Sequence, residues 1–184
     1  SMTDELDLPE RWNVEFLFPH APFRAVTING GMRMRAWYDI VAPDLLYKPD
    51  ICGIEESAQE IEQIISDLES QGISRKRLFV AGFSQGGAVA LCLAQRLPLA
   101  GVIVLSSYGP TLKNGPSLQT RDIWIGHGDW DPVVPQELGL DVYRTLKKQQ
   151  CVAVWHSYPM GHSVCREEIV DLSAWLARRM EEVS

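Results

Sequence analysis

Cysteine is scarce, with 4 in 184 residues, and Cys52, Cys92, Cys151 and Cys165 never fall into a Cys-x-x-Cys spacing or near paired histidines. Zinc and redox motifs are therefore not expected, no metal or cofactor site is predicted, and the four residues read as reduced thiols. Basic clusters are missing as well. With 17 Lys and Arg against 24 Asp and Glu, a formal net charge of -7, the chain has no long cationic run to hold a phosphate backbone, which argues against nucleic acid as the main partner. No apolar stretch approaches the roughly 20 residues a bilayer-crossing helix needs, and no secretory n-region and h-region opens the chain. A cytoplasmic location is the expectation that follows. Repeats and low-complexity tracts are also lacking, and 46% hydrophobic with 22% charged residues is ordinary for one globular domain, here taken as 1–184.

What is present is an alternation of strand-like and helix-like segments. Val14-Glu15-Phe16-Leu17-Phe18 reads as a short strand stopped by Pro19. The long stretch from His20 to Gly53, carrying Pro22, Gly30, Gly31, Pro43 and Pro49 among apolar residues such as Trp37 and Tyr38, reads as irregular but packed. Ile54, Ala58, Ile61, Ile65 and Leu68 recur at helical spacing before Gly72. Glu55, Glu56 and Glu60 form its solvated face. Near-continuous apolar runs at Leu78–Ala81, Val102–Leu105 and Ile123–Ile125 are the mark of strands buried on both faces, as in a parallel sheet covered by helices. Leu138, Val142 and Leu146 predict another helix, Val152–Trp155 another strand, and Ile169, Leu172 and Leu176 a terminal helix. The fold class is α/β, a mainly parallel sheet with helices on both faces.

Gly82-Phe83-Ser84-Gln85-Gly86 follows directly on one of those strands and precedes a run of small and straight-chain residues, Ala88 to Arg96, that reads as a helix. This is the arrangement of a nucleophile elbow, in which a serine on a strained strand-to-helix corner needs glycines around it. Catalytic groups in such sheets gather beyond the carboxyl ends of the strands. Ser84, Asp131 and His162 each follow a predicted strand, and they occur in the order Ser, Asp, His, which among serine-triad folds points to the α/β-hydrolases. A serine hydroxyl needs a neutral imidazole to take its proton, and the imidazole needs a carboxylate to hold its tautomer. His20, His127 and His156 are rivals to His162. Asp129 is the rival to Asp131 and reads as a turn residue.

Several motifs together resemble the acyl-protein thioesterase, lysophospholipase and bacterial carboxylesterase group of small α/β-hydrolases. They are Pro19-His20-Ala21-Pro22, Arg35-Ala36-Trp37-Tyr38-Asp39-Ile40, Ala81 to Gly87, Gly126-His127-Gly128-Asp129, Asp131 to Pro135 and Gly161-His162-Ser163. The resemblance runs from Val14 onward. It implies Ser84 as nucleophile, His162 as general base, Asp131 as its orienting acid, the backbone N–H of Gln85 as one oxyanion donor, and Trp37 as a wall of the acyl pocket. Cys165, near His162, reads as an ordinary buried thiol. One element of the group's pattern is missing. Its members begin with an apolar strand running into a His-Gly-rich loop that supplies a second oxyanion N–H, whereas Met2 to Trp12 is polar and contains Pro9. The resemblance thus implies a domain incomplete on its amino-terminal side, with a homodimer as one way to fill the gap.

The expected reaction is hydrolysis of a carboxylic ester or thioester through an acyl-serine. Between Leu105 and Ile123 there is room for a loop but not a large cap, so the site should be open to a small ester, an acylated protein or a lysophospholipid. The alternative is a catalytically impaired hydrolase-like protein with a binding or assembly role.

Overall fold

A computed structural model describes residues 2–183. Its centre is a four-stranded sheet in the order β3-β4-β5-β6, formed by Phe79–Phe83 (β3), Gly101–Leu105 (β4), Asp122–Gly128 (β5) and Val152–Tyr158 (β6). All three pairings are parallel. A separate antiparallel hairpin, Phe23–Val26 (β1) with Met32–Arg35 (β2), occupies part of the stretch read as irregular. Its turn needs backbone that side chains resist, and Gly30 and Gly31 supply it at φ of 66° and 76°.

The helices are Ile51–Ser70 (α1), Gln85–Arg96 (α2), Gln136–Lys148 (α3) and Arg166–Glu182 (α4). Asp50 starts α1 by accepting a hydrogen bond from the Gly53 N–H, and Gly72, at φ of 92°, follows its end. Alternation along each strand sorts the core into two layers. Val102, Val104, Ile123 and Ile125 pack with α1, α2 and α3, while Ile103, Leu105 and Trp124 pack with Leu172, Trp175 and Leu176 of α4. Helices thus cover both faces, three against one. The strands β4 and β5 are buried almost throughout, as their unbroken apolar runs predict.

Val14–Phe18 is not a strand. The segment has no regular structure, and Phe16, Leu17 and Phe18 are exposed. A strand exists only where a neighbour takes its hydrogen bonds, and among the described residues no strand lies beside this one. Met2, Leu6 and Leu8 pack on the α4 layer, whereas Trp37 and Ile40 pack on the α1–α2 layer. The exposed segment therefore passes from one face of the sheet to the other. β3 is an edge strand for the same reason. The Ser84 N–H donates to Leu105 O and Leu78 O accepts from the Ala100 N–H, so the alternate residues Phe79, Ala81 and Phe83 turn their amides to the open side.

Candidate active site

The elbow stands at the carboxyl end of β3. Ser84 has φ of 53° and ψ of -118°, a conformation that costs energy in a residue with a Cβ and persists only where its surroundings enforce it. Two glycines make the corner feasible. A Cβ on Gly82 would lie 2.1 Å from the Gly86 carbonyl carbon, and one on Gly87 would lie 2.4 Å from Ser107 Cβ. Ser107 also locks the corner by donating its hydroxyl to Ser84 O at 2.6 Å. Ser84 heads α2, so the N–H of Gln85 has no carbonyl one turn earlier to bond and points out of the helix end. Among the described residues the Ser84 hydroxyl has no hydrogen-bond partner.

Asp131 and His162 come together beyond β5 and β6. His162 Nδ1 lies 2.7 Å from Asp131 Oδ2, while Asp131 Oδ1 accepts from the amides of Val133 and Val134, each at 2.8 Å. The carboxylate is buried and fully committed. A carboxylate oxygen can only accept, so its contact with Nδ1 suits the Nδ1–H form of the imidazole and leaves Nε2 as an acceptor. The two loops carrying these residues are zipped: the Asp129 N–H donates to Tyr158 O and the Trp130 N–H to Met160 O. Their contact is so close that a Cβ on Gly128 would stand 2.3 Å from Gly161 O. The Phe83 ring, next in sequence to Ser84, packs on the His162 ring at a centroid distance of 4.7 Å, which brings the base to the elbow.

The rivals fall elsewhere. His127 is fully buried, its Nε2 2.8 Å from Val134 O and 3.7 Å from Asp131 Oδ2. Burial holds its pKa below the ordinary value, so it is a neutral support under the acid loop. Asp129 is on the surface, accepting from Gln136 Nε2. His20 is exposed, and His156 stacks on Trp124 near Asp171. Cys165 is half-exposed at the start of α4 and not a buried thiol.

Trp37 sits beside the elbow through a clamp that the sequence did not reveal. The Gln85 side chain accepts from the Trp37 N–H at 3.1 Å and donates to Tyr38 O at 2.9 Å, and Ser57 donates to Trp37 O. The half-buried indole reaches Gly86, with Nε1 3.9 Å from where a Cβ there would stand. Ser107, Phe83, His127 and the Gln85 side chain were missed because each acts through a contact between distant segments. Among the described residues no strand pairs with β3 on its open side, and no cluster of His, Cys, Asp or Glu is suited to a metal ion.

Comparison with known proteins agrees with this geometry. Residues 5–179 match the phospholipase/carboxylesterase family model. An acyl-protein thioesterase 1 of Mycosarcoma maydis is 38% identical over 192 residues, covering 92% of this chain and 80% of the relative. One from Saccharomyces cerevisiae is 34% identical, covering 91% and 79%. Among solved structures, Arabidopsis thaliana SOBER1 superposes with a TM-score of 0.87 at 30% identity, over 97% of this chain and 90% of that one. Zea mays acyl-protein thioesterase 2 gives 0.73 at 26%, over 88% and 80%. The chain belongs to the phospholipase/carboxylesterase family, and it is an ester-cleaving α/β-hydrolase.

Proposed function

We propose that Ser84, His162 and Asp131 hydrolyse carboxylic ester or thioester bonds through an acyl-Ser84 intermediate. The observation that carries this reading is the buried Asp131 carboxylate, anchored by two amides and bonded to His162 Nδ1, at the sheet end where Ser84 sits in strained backbone. Ser84 Oγ attacks the acyl carbonyl as His162 Nε2 takes its proton, and the carbonyl oxygen becomes an oxyanion that accepts from the Gln85 N–H. When the tetrahedral species collapses, His162 returns the proton to the departing alkoxide or thiolate. Water then enters the same cycle and frees the acid. Among the described residues the Ser84 hydroxyl has no partner, and such groups commonly align only when substrate binds.

Trp37 forms one wall of the acyl pocket, since its indole stands over Gly86 beside the elbow. The substrates are acylated proteins or lysophospholipids, a reading that the names of the thioesterase relatives support. No described helix is long and apolar enough to cross a membrane, and four free thiols suit the reducing cytoplasm as the site of action. Treatment with a fluorophosphonate followed by peptide mass spectrometry tests the assignment. A single adduct on Ser84, lost in Ser84→Ala, is expected; folded protein that takes no label would sink it.

A second reading, assembly of two copies, is favoured by the unpaired amides of Phe79, Ala81 and Phe83 along β3 and the exposed Phe16, Leu17 and Phe18. Open edges of this kind pair readily. Light scattering tests it, and a monomer at high micromolar concentration removes it.

A further inference from the structure

Among the described residues Glu168 is fully buried and, unlike the equally buried Asp131 carboxylate, neither of its carboxylate oxygens has a hydrogen-bond partner. A buried carboxylate without partners is costly, so its retention calls for a reason. It lies in the first turn of α4, three residues after Cys165, which precedes that helix. The carboxylate is seated on β5 at Gly126, where a Cβ would stand 2.1 Å from Oε1. Glu168 is thus wedged between two segments that matter to the reaction. Cys165 is three residues beyond His162, and Gly126 is five residues before Asp131.

We propose that Glu168 is a positioning residue for the Asp131–His162 pair, a buried carboxylate that seats the helix start behind His162 on the strand end that leads to Asp131. The inference rests on the triad reading above. In its charged form Glu168 is drawn to the Cys165 N–H at the positive end of α4, an attraction in the sense of a capping box though not a closed hydrogen bond. Protonation removes that attraction and lets the first turn, and His162 with it, move. Burial pushes the Glu168 carboxyl up to about 7, with the Cys165 amide opposing, so the change falls in the working range. Its surroundings do little to offset the charge. β5 presents only Gly126 and Trp124, whose indole N–H is also buried without a partner. β6 presents Tyr158, whose hydroxyl is bonded to Asp171, and His156, which faces Asp171; β4 presents the apolar Ile103 and Leu105. From α4 itself come Cys165 and Asp171, and the amino-terminal segment meets the helix through the Asp7 amide on Ser173.

The test is the pH dependence of kcat/KM for wild type, Glu168→Gln and Glu168→Ala. As pH falls through about 7, the acid limb of log kcat/KM against pH should be one proton steeper in wild type than in Glu168→Gln, since only the wild type can protonate Glu168. Glu168→Gln keeps the shape but is neutral at every pH, as protonated Glu168 is. Its acid limb should be shallower by one proton, and its kcat at pH 8 should fall severalfold below wild type. Glu168→Ala should lower kcat by about tenfold or more with KM little changed, since small displacements of a base are costly. An independent readout is the downfield proton resonance of His162 Nδ1–H, which should report two ionisations in the wild type and one in Glu168→Gln. Equal slopes in wild type and Glu168→Gln, or the same number of steps in both spectra, overturn the proposal. An enzyme that neither turns over nor labels at Ser84 would instead refute the triad reading, and the resonance alone would then decide on Glu168.

Discussion

The two sides of the site are built to different standards. On one side Asp131 and His162 belong to loops zipped together by backbone hydrogen bonds, over a buried imidazole and a buried carboxylate, and β5, which leads to Asp131, is paired on both sides and buried almost throughout. On the other side the elbow ends a strand that has one neighbour only, with Phe83 at 39% exposure and Phe18 at 69%. The strands themselves are chemically alike, both being short apolar runs. Between β3 and β5 what differs is the number of neighbours, so burial follows from sheet position and not from composition, and β6, the sheet's other edge, is likewise only partly covered. The acid–base side can hold a charge network in fixed geometry. The elbow side relies on local means, namely the Gly82–Gly86 contact, the Ser107 hydroxyl and the Gln85 clamp.

If the acid–base side carries the chemistry, removing it should cost the most. His162→Ala and Asp131→Asn should each lower kcat/KM on a p-nitrophenyl ester by about 10³- to 10⁴-fold without unfolding the protein. Activity retained in either would break the contrast at its root. Next in size is the elbow's own packing. Gly82→Ala puts a Cβ 2.1 Å from backbone atoms of Gly86, and should destabilise by about 3 kcal/mol or more in urea unfolding, the range of severe backbone strain. A matching change under the acid loop, Gly139→Ala, puts a Cβ 2.4 Å from His127 Nδ1 and should cost about 1–3 kcal/mol, since a side chain can yield a little.

Titration separates the two buried groups of the ordered side. His127 has a pKa below its unfolded value through burial, so its contribution to stability is present above about pH 6.5 and is lost as pH falls through the folded value. Glu168, raised from 4.5 to about 7, acts in the opposite sense, its contribution being present at low pH and lost as pH rises toward 7. The two slopes oppose each other just below about pH 6.5 in the wild type. Thermal melts of His127→Gln should therefore fall with rising pH across this window, and those of Glu168→Gln should rise; parallel curves for all three proteins would refute the assignment. The smallest effect belongs to the open side. Phe83→Ala should change stability by only about 1 kcal/mol because the ring is partly exposed at the open edge, while loosening His162 enough to lower kcat measurably.

Much of this was legible in the sequence. The runs at Val102–Leu105 and Ile123–Ile125 announced strands buried on both faces, the spacing of Ile54, Ala58, Ile61, Ile65 and Leu68 announced α1, and the Gly-x-Ser-x-Gly corner marked the elbow. Each is a local pattern, fixed by side-chain period or by backbone that only glycine tolerates. The misreadings share a cause. Val14–Phe18 has strand composition but no hydrogen-bonding neighbour, and the hairpin of β1 and β2 was hidden because two four-residue strands give too little alternation to read. His127 and Glu168 could not be singled out either, because a pKa is set by burial, and burial depends on what the remainder of the chain places around a residue.

By itself, then, the sequence determined the α/β alternation, the elbow and the order of Ser84, Asp131 and His162, since these follow from periodicity, glycine backbone freedom and chain order. Tertiary structure alone decided which histidine meets Asp131, how Gln85 and Ser107 brace the elbow, and that β3 is left as an edge. Those outcomes depend on contacts between residues tens of positions apart, and no local pattern encodes a contact whose partner is supplied by the fold.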